Sequence, residues 1–315
     1  MTDAELRNIF RGLGRDLNDR QKKQLARLRV AERSLFDALM EELSAVLTVE
    51  NGRINSRLSE SGINRAVNKA ISQVQSGPMR EVQMQVLKDI RALLTGNSDY
   101  YGIIYGLEGR KGFGQVKQKT TDQTFKRLGV KDGKLVKGGY LDKYFSRGTL
   151  DSEVRSVIAS AISGRRTMNE LRRQLEITVK GTKSIDGALT REYSELIVDT
   201  YHQVDRSASG SYGAALNFKW ATYEGGLIET SRKFCIKRDG KVFNTVEAEK
   251  WREDPDLPKT TKERQSGVVV NYTPLANASN AAGATATSMG RWRCRHRVRW
   301  ISEQMAKRLA PERFN

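Results

Sequence analysis

The chain has 315 residues, with 55 Lys and Arg against 37 Asp and Glu, a formal net charge of +18 and a pI near 9.9. At roughly 100–200 residues per domain this is one large domain or two ordinary ones. Its two cysteines, Cys235 and Cys294, exclude a disulfide-dense scaffold and a four-cysteine zinc module, and with only His202 and His296 present any His-based triad or His–Cys dyad must use one of them.

A hydrophobic fraction of 38% is enough to bury a core, and five prolines with long charged, Leu-punctuated stretches point to a mostly helical chain. Met1 to Arg11 lacks the apolar run of a signal peptide. The longest uncharged run, Gln265 to Gly290, is rich in Asn, Ala, Ser, Thr and Gly, unlike a membrane span. The expectation is a soluble, strongly cationic protein made in a reducing cytoplasm.

Residues 1–95 read as a helical N-terminal region. Leu25, Leu28, Leu35, Leu39, Leu43 and Val46 recur at spacings of three, four or seven, which lines them along one helical stripe. Asn51-Gly52 breaks that pattern. Ile54, Leu58, Ile63, Val67, Ile71 and Val74 predict a further helix, stopped by Ser76-Gly77-Pro78, and Met79 to Leu94 resumes with Val82, Val86, Ile90 and Leu93.

Residues 96–149 read as a basic Gly/Lys-rich connector of irregular or short-strand material. Between Tyr100 and Gly148 eleven Lys and Arg stand against four Asp and Glu. Asp132-Gly133 between Val130 and Leu135-Val136 is a hairpin-type turn. Gly106, Gly109, Gly112 and Gly114 resemble a phosphate loop only superficially, because no Gly-Lys-Ser/Thr follows at the required spacing.

Residues 150–216 read as helical: a short pair at Ser152 to Ile162 and Thr167 to Leu175, then a longer helix from Thr190 to Ala215. The second half of the long helix is rich in Ser, Gly and Ala and would let a neighbour approach closely. From 217 to 315 the period changes to that of a small β-rich module. Phe218, Trp220 and Thr222 alternate as in a strand, and Phe234-Cys235-Ile236 and Lys241-Val242-Phe243 flank a second Asp-Gly turn at Asp239-Gly240. Thr245 to Trp251 reads as a short helix and 265–290 as a long loop. The predicted fold class is α+β: mostly helical N-terminal and middle regions, then a small antiparallel β-rich C-terminal module.

Arg291 to Ile301 carries the sharpest pattern. Arg291, Arg293, Arg295, Arg297 and Arg299 occupy the odd positions, and Trp292, Cys294, His296, Val298 and Trp300 the even ones. Period two predicts a strand with guanidinium groups outward and indoles on the core. Side chains on one strand face are about 6.6–6.8 Å apart, so five arginines need intervening anions. Phosphate backbones supply them, which makes these five residues the candidate nucleic-acid contacts. Pairing with Glu224, Glu229, Asp254 or Asp256 inside the fold is the other reading.

Cys294 and His296 share one strand face, and Cys235 comes from the preceding hairpin. The three form a candidate metal cluster, although their spacing matches no compact zinc signature. A buried thiol pair beside a hydrogen-bonded core histidine is the expectation, with no metal and no cofactor. An apolar strand face is a poor place for a reactive thiolate, which argues against a Cys–His catalytic dyad.

The order Trp220, Glu229-Thr230-Ser231-Arg232-Lys233-Phe234-Cys235, Asp239-Gly240-Lys241-Val242-Phe243, then Cys294-Arg295-His296 with Trp300-Ile301-Ser302 resembles the tail of head-morphogenesis or minor head proteins of tailed bacteriophages, the Mu F-like group. The resemblance covers about residues 150 to 305, with its specific part at 218–302. Arg293 stands where that group usually has Asn. The resemblance implies a virion component inside the capsid or at the portal vertex, synthesised in the host cytoplasm. Its implied partners are portal or other capsid proteins, further copies of itself, and packaged DNA touched without sequence specificity; no membrane is involved. A net charge of +18 suits a shell shared with concentrated polyanion. No catalytic constellation is required. A stand-alone, sequence-nonspecific nucleic-acid-binding module is the alternative, and a nuclease or thiol hydrolase using Cys235 or Cys294 with His296 the third hypothesis.

Overall fold

The computed structural model describes residues 3–55, 60–107, 112–145, 149–229, 231–256, 262–265, 268–271, 294 and 296–314. Its helices are α1 (Asp3–Val46), α2 (Glu60–Ser76), α3 (Pro78–Ile104), α4 (Phe113–Leu128), α5 (Tyr140–Phe145), α6 (Thr149–Ser163), α7 (Met168–Lys180), α8 (Ala188–Ala215), α9 (Lys233–Ile236), α10 (Thr245–Lys250) and α11 (Glu303–Leu309). The strands are β1 (Val49–Glu50), β2 (Arg53–Ile54), β3 (Val130–Lys131), β4 (Lys134–Leu135), β5 (Trp220–Glu224), β6 (Lys241–Asn244), β7 (Lys262–Gln265), β8 (Val268–Asn271) and β9 (Arg297–Ile301). The fold is α+β, with a small antiparallel sheet near the C-terminus.

The chain divides into two compact units that do not follow the four consecutive segments read from the sequence. One is built from 1–19, 89–142 and 198–315, the other from 20–88 and 143–197. The boundaries fall within α1, α3, α5 and α8, so a linear reading of composition could not find them.

The second unit is helical. Leu28, Leu35, Leu39 and Leu43 of α1 are buried, as the periodicity predicts, with Val67 and Val74 of α2, Val154 and Ile158 of α6, and Leu171, Leu175 and Val179 of α7. The stop before Pro78 is where the sequence puts it: α2 ends at Ser76 and Pro78 opens α3, where a missing N–H costs nothing. The predicted helix pair is α6 and α7, the latter begun by a capping box in which Thr167 accepts from the Glu170 N–H and the Glu170 carboxylate accepts from the Thr167 N–H. Buried Glu32 accepts a hydrogen bond from the Thr190 N–H at 2.7 Å, satisfying an N-terminal donor of α8.

In the first unit, the described part of the stretch expected to be an irregular connector is largely helical. α3 continues to Ile104, and α4 follows with Phe113, Thr120, Thr124 and Leu128 on its buried side. Two threonines stand in place of aliphatic residues on that stripe, which conceals it from a search for apolar periodicity. Gly129 ends α4 in a left-handed conformation (φ 70°). The predicted Asp132-Gly133 hairpin is present as β3 and β4, with Lys131 directly opposite Lys134.

The C-terminal sheet has the order β6-β5-β9, both neighbours antiparallel to the central strand. Trp220 pairs with Ile301, Ala221 with Trp300, Thr222 with Arg299, Tyr223 with Val298 and Glu224 with Arg297. The strand reading is therefore correct for 297–301 and Trp300 is buried; Arg291, Trp292, Arg293 and Arg295 lie outside the described residues. Phe234-Cys235-Ile236 is a turn of helix, α9, rather than the expected strand. β7 and β8 pair at the start of the predicted long loop, most of which, 272–290, also lies outside the described residues.

Ala221, Tyr223, Phe243, Val298 and Trp300 pack with Phe234, Cys235, Trp251 and Cys294 in one cluster, while Val242 and Ile301 join Tyr100, Tyr101, Tyr212 and Met305 in another. Helix α8 lies along β9: the Ser209 hydroxyl accepts from the Trp300 N–H at 3.4 Å, and a Cβ on Gly213 would sit 2.4 Å from Trp300 Cγ. The small residues of α8 are thus what allows the helix to cover the sheet's open edge. Replacing Gly213 with Ala is expected to destabilise the protein by about 1–3 kcal/mol through overpacking, although Ala is the better helix former. Gly12→Ala in α1, where a Cβ meets nothing within 4 Å, serves as the control. Denaturant midpoints compare them, and a Gly213→Ala midpoint equal to or above that of the natural protein would refute the close contact.

Candidate functional site

The charged face of β9 does not meet solvent. Arg297 is 7% exposed and Arg299 1%, and both point at Asp205 of α8, which is fully buried. Arg297 donates from Nε to Asp205 Oδ2 at 2.9 Å and from Nη2 to Oδ1 at 3.1 Å, a two-pronged contact. Arg299 donates from Nη2 to Asp205 Oδ1 at 2.7 Å and from Nη1 to Asn97 Oδ1 at 2.6 Å. Asn97, on α3, in turn donates to Asp205 Oδ1 at 2.9 Å and to the Leu93 carbonyl at 2.9 Å. The assignment of Arg297 and Arg299 as nucleic-acid contacts is thereby corrected: a guanidinium bonded inside the fold cannot reach a phosphate.

The main acidic partner, Asp205, is not among those expected, although Glu224, which was, also acts electrostatically on Arg297. Asp254 pairs with Arg238, and Asp256 with Lys237. Glu224 stands opposite Arg297 in the sheet register. Asp205 is hard to single out in the sequence because it lies in a helix whose apolar and small residues dominate the pattern. The signal that could have revealed it is an acid flanked by Tyr201, Val204 and Ala208, positions that must face a core.

Burial by itself would raise the Asp205 pKa. The neighbouring Arg297 and Arg299 charges and their hydrogen bonds outweigh it and hold the carboxyl far below the ordinary carboxylate range. Burial, reinforced by Arg206 and Arg297, pushes His202 down to about 3, so it is a neutral imidazole at pH 7.

A second constellation lies in the same unit, and it brings together three residues the sequence singles out. Cys235 Sγ is 3.9 Å from Cys294 Sγ, which is 3.8 Å from His296 Nδ1. Each of these three residues is 4% exposed. Cys235 is positioned by α9, Cys294 and His296 by the chain entering β9. The Tyr223 hydroxyl on β5 is 3.4 Å from Cys235 Sγ and 3.5 Å from Cys294 Sγ, and its ring stacks on His296 at 4.7 Å with a 12° tilt. On the far side of the imidazole, Nε2 is 3.2 Å from Asp239 Oδ1, at the predicted Asp-Gly turn. Arg206 Nη1 lies 3.5 Å from the Cys294 and His296 carbonyl oxygens. Gly225 permits the approach, since a Cβ there would sit 2.7 Å from His296 Cα. The Cys235 S–H favours a thiolate on Cys294 by hydrogen bonding to it, and its own thiol is pushed up for the same reason.

Among the described residues no other group of three His, Cys, Asp or Glu side chains has metal-binding spacing, and no helix is long and apolar enough to cross a membrane. No protein-family model, curated protein or solved structure matches the chain.

Asp205→Asn keeps the shape of the side chain but leaves two buried cations without their counter-charge. The expected loss is about 3–5 kcal/mol, read as a lower urea midpoint; an unshifted midpoint would show that the pair carries no stability. The pH dependence has a definite sign. A carboxyl whose pKa is depressed by folding contributes fully above its unfolded value, about 3.9, and loses that contribution as pH falls further towards the folded value. Below pH about 4 the natural protein should therefore lose stability more steeply than Asp205→Asn, and parallel curves would count against the assignment.

Proposed function

We propose that this chain is a structural and assembly protein of a tailed-phage virion: a minor head protein, held inside the capsid or at the portal vertex and in contact with packaged DNA. The observation that carries the reading is the way the segments resembling the Mu F-like tail pack together. The Trp220 strand lies at the centre of one sheet, the closing strand with Trp300 pairs beside it, and Cys235, Asp239, Cys294 and His296 converge at one end. Residues scattered from Trp220 to Ile301 thus form a single module, as expected if that motif order marks a folded unit. In this reading the partners are portal or other capsid proteins, copies of the same chain, and DNA. The protein is made in the host cytoplasm, and no catalytic step is part of its role.

In this reading DNA contact draws on exposed lysines rather than on the buried Arg297 and Arg299. Lys119 and Lys126 of α4 and Lys131 and Lys134 of the β3–β4 hairpin are exposed. Like charges placed directly opposite on two strands repel, so the Lys131–Lys134 pair gains from an anion between or beside them. Phosphates held by such cations release counterions, which gives salt-sensitive, sequence-tolerant binding. The same surface favours the second reading, a sequence-nonspecific nucleic-acid-binding module.

Deleting the gene from the phage is expected to give malformed, poorly packaged or poorly infectious heads; normal infectious particles lacking the protein would eliminate the assembly role. Changing Lys119, Lys126, Lys131 and Lys134 together to Gln should flatten the dependence of log K for duplex DNA on log salt by about 0.9 for each phosphate no longer neutralised. An unaltered slope would remove this surface from the DNA interface. If heads form normally without the gene while purified protein binds DNA with the steep slope, the second reading replaces the first.

A further inference from the structure

We infer that Cys235, Cys294 and His296 hold a zinc ion, with the Tyr223 hydroxyl at the fourth corner and Asp239 orienting the imidazole from behind. Nothing in the geometry of these four corners depends on the virion role.

Tetrahedral zinc has Zn–S distances of about 2.3 Å and Zn–N or Zn–O distances of about 2.0–2.1 Å, so its edges are about 3.8 Å between two sulfurs and about 3.5–3.6 Å between sulfur and nitrogen or oxygen. The corresponding separations in the protein are 3.9 Å for the sulfur pair, 3.8 Å for Cys294 Sγ to His296 Nδ1, and 3.4 and 3.5 Å from the Tyr223 oxygen to the two sulfurs. Each of these four edges is within about 0.3 Å of the tetrahedral value. The three ligand atoms all lie within 4.8 Å of one another. A sulfur–sulfur distance of 3.9 Å is far from the ~2.05 Å of a disulfide.

The surroundings fit a metal as well as the corners do. A ligating histidine generally passes its other ring N–H to a carboxylate, which fixes the ring and strengthens the ligating nitrogen. His296 turns Nδ1 towards the Cys294 sulfur, and Nε2 lies 3.2 Å from an Asp239 carboxylate oxygen, a distance from which a small turn of the ring makes that hydrogen bond. The ring is clamped between stacked Tyr223 and the Cβ-free backbone of Gly225. Two thiolates and an imidazole are a soft donor set that selects zinc over the hard oxygen-loving cations. Burial of all three ligands makes the site a closed structural one. On binding, whatever protons the two thiols still hold pass to solvent, and the ion ties α9 to the segment entering β9 across 59 residues of chain.

Protein purified under reducing conditions from zinc-supplemented cells is the material for the test. Elemental analysis should find about one zinc per chain, and exchange for cobalt(II) should give the intense near-ultraviolet thiolate-to-cobalt absorption of a site with two sulfurs. Chelation should lower the thermal midpoint, and re-addition of zinc should restore it. Cys294→Ser is expected to lose the cobalt absorption. Should that variant not fold, the chelation and re-addition cycle on the unmodified chain decides the matter by itself. Folded, reduced protein that retains no zinc and gives no thiolate absorption with cobalt would overturn the proposal. So would a chelated protein whose midpoint is unmoved by zinc.

Discussion

One buried carboxylate organises the C-terminal sheet. Asp205 faces two arginines of β9 in a place sealed from water, and Asn97 closes the remaining hydrogen bonds. The cost of removing such charges from water is several kcal/mol per ion, so the arrangement is tolerable only because the facing donors find acceptors. Register follows from it. A slip of β9 by one residue would turn Val298 and Trp300 towards Asp205 and drive the guanidinium groups into the aromatic cluster of Tyr223, Phe234 and Trp251. The ionic contact thus specifies which way the strand faces, a task that a strand hydrophobic on both sides would leave to packing alone.

The same strand shows how a correct local reading can lead to the wrong neighbour. Alternation along 291–301 predicts a strand with Trp300 inward, and 297–301 is one. What alternation cannot report is whether the second face meets water, because a period of two says only that the faces differ. Here α8 covers the arginine side, so strand polarity marks an internal salt bridge. The acid that meets it, Asp205, lies far back in the chain, and Asn97 further still. Long-range pairing of this kind leaves no trace in a local window.

Elsewhere legibility tracked the chemistry of the buried stripe. Leu-rich α1 and the Thr167 start of α7 can be read directly, and Asp132-Gly133 and Gly77-Pro78 fall where their backbone preferences require. Helix α4 is obscured by Thr120 and Thr124 on its buried face and by glycines on either side, which together resemble a loop. The candidate site was legible only as three residue names, Cys235, Cys294 and His296. Its supporting residues, Tyr223 and Asp239, become evident only once β5 and the Asp-Gly turn are placed beside them.

The discontinuous composition of the sheet-bearing unit has a consequence for biosynthesis. Strand β5 emerges from the ribosome long before β9, and until then its Ala221–Tyr223 edge has a partner only in β6, while Asp205 is a lone anion with no β9 guanidinium to meet it. Completion of the module is therefore a late event in the life of each newly made chain. A nascent polypeptide interrupted before Arg297 would retain an open strand and an unneutralised acid, features that quality-control proteases and chaperones are suited to detect.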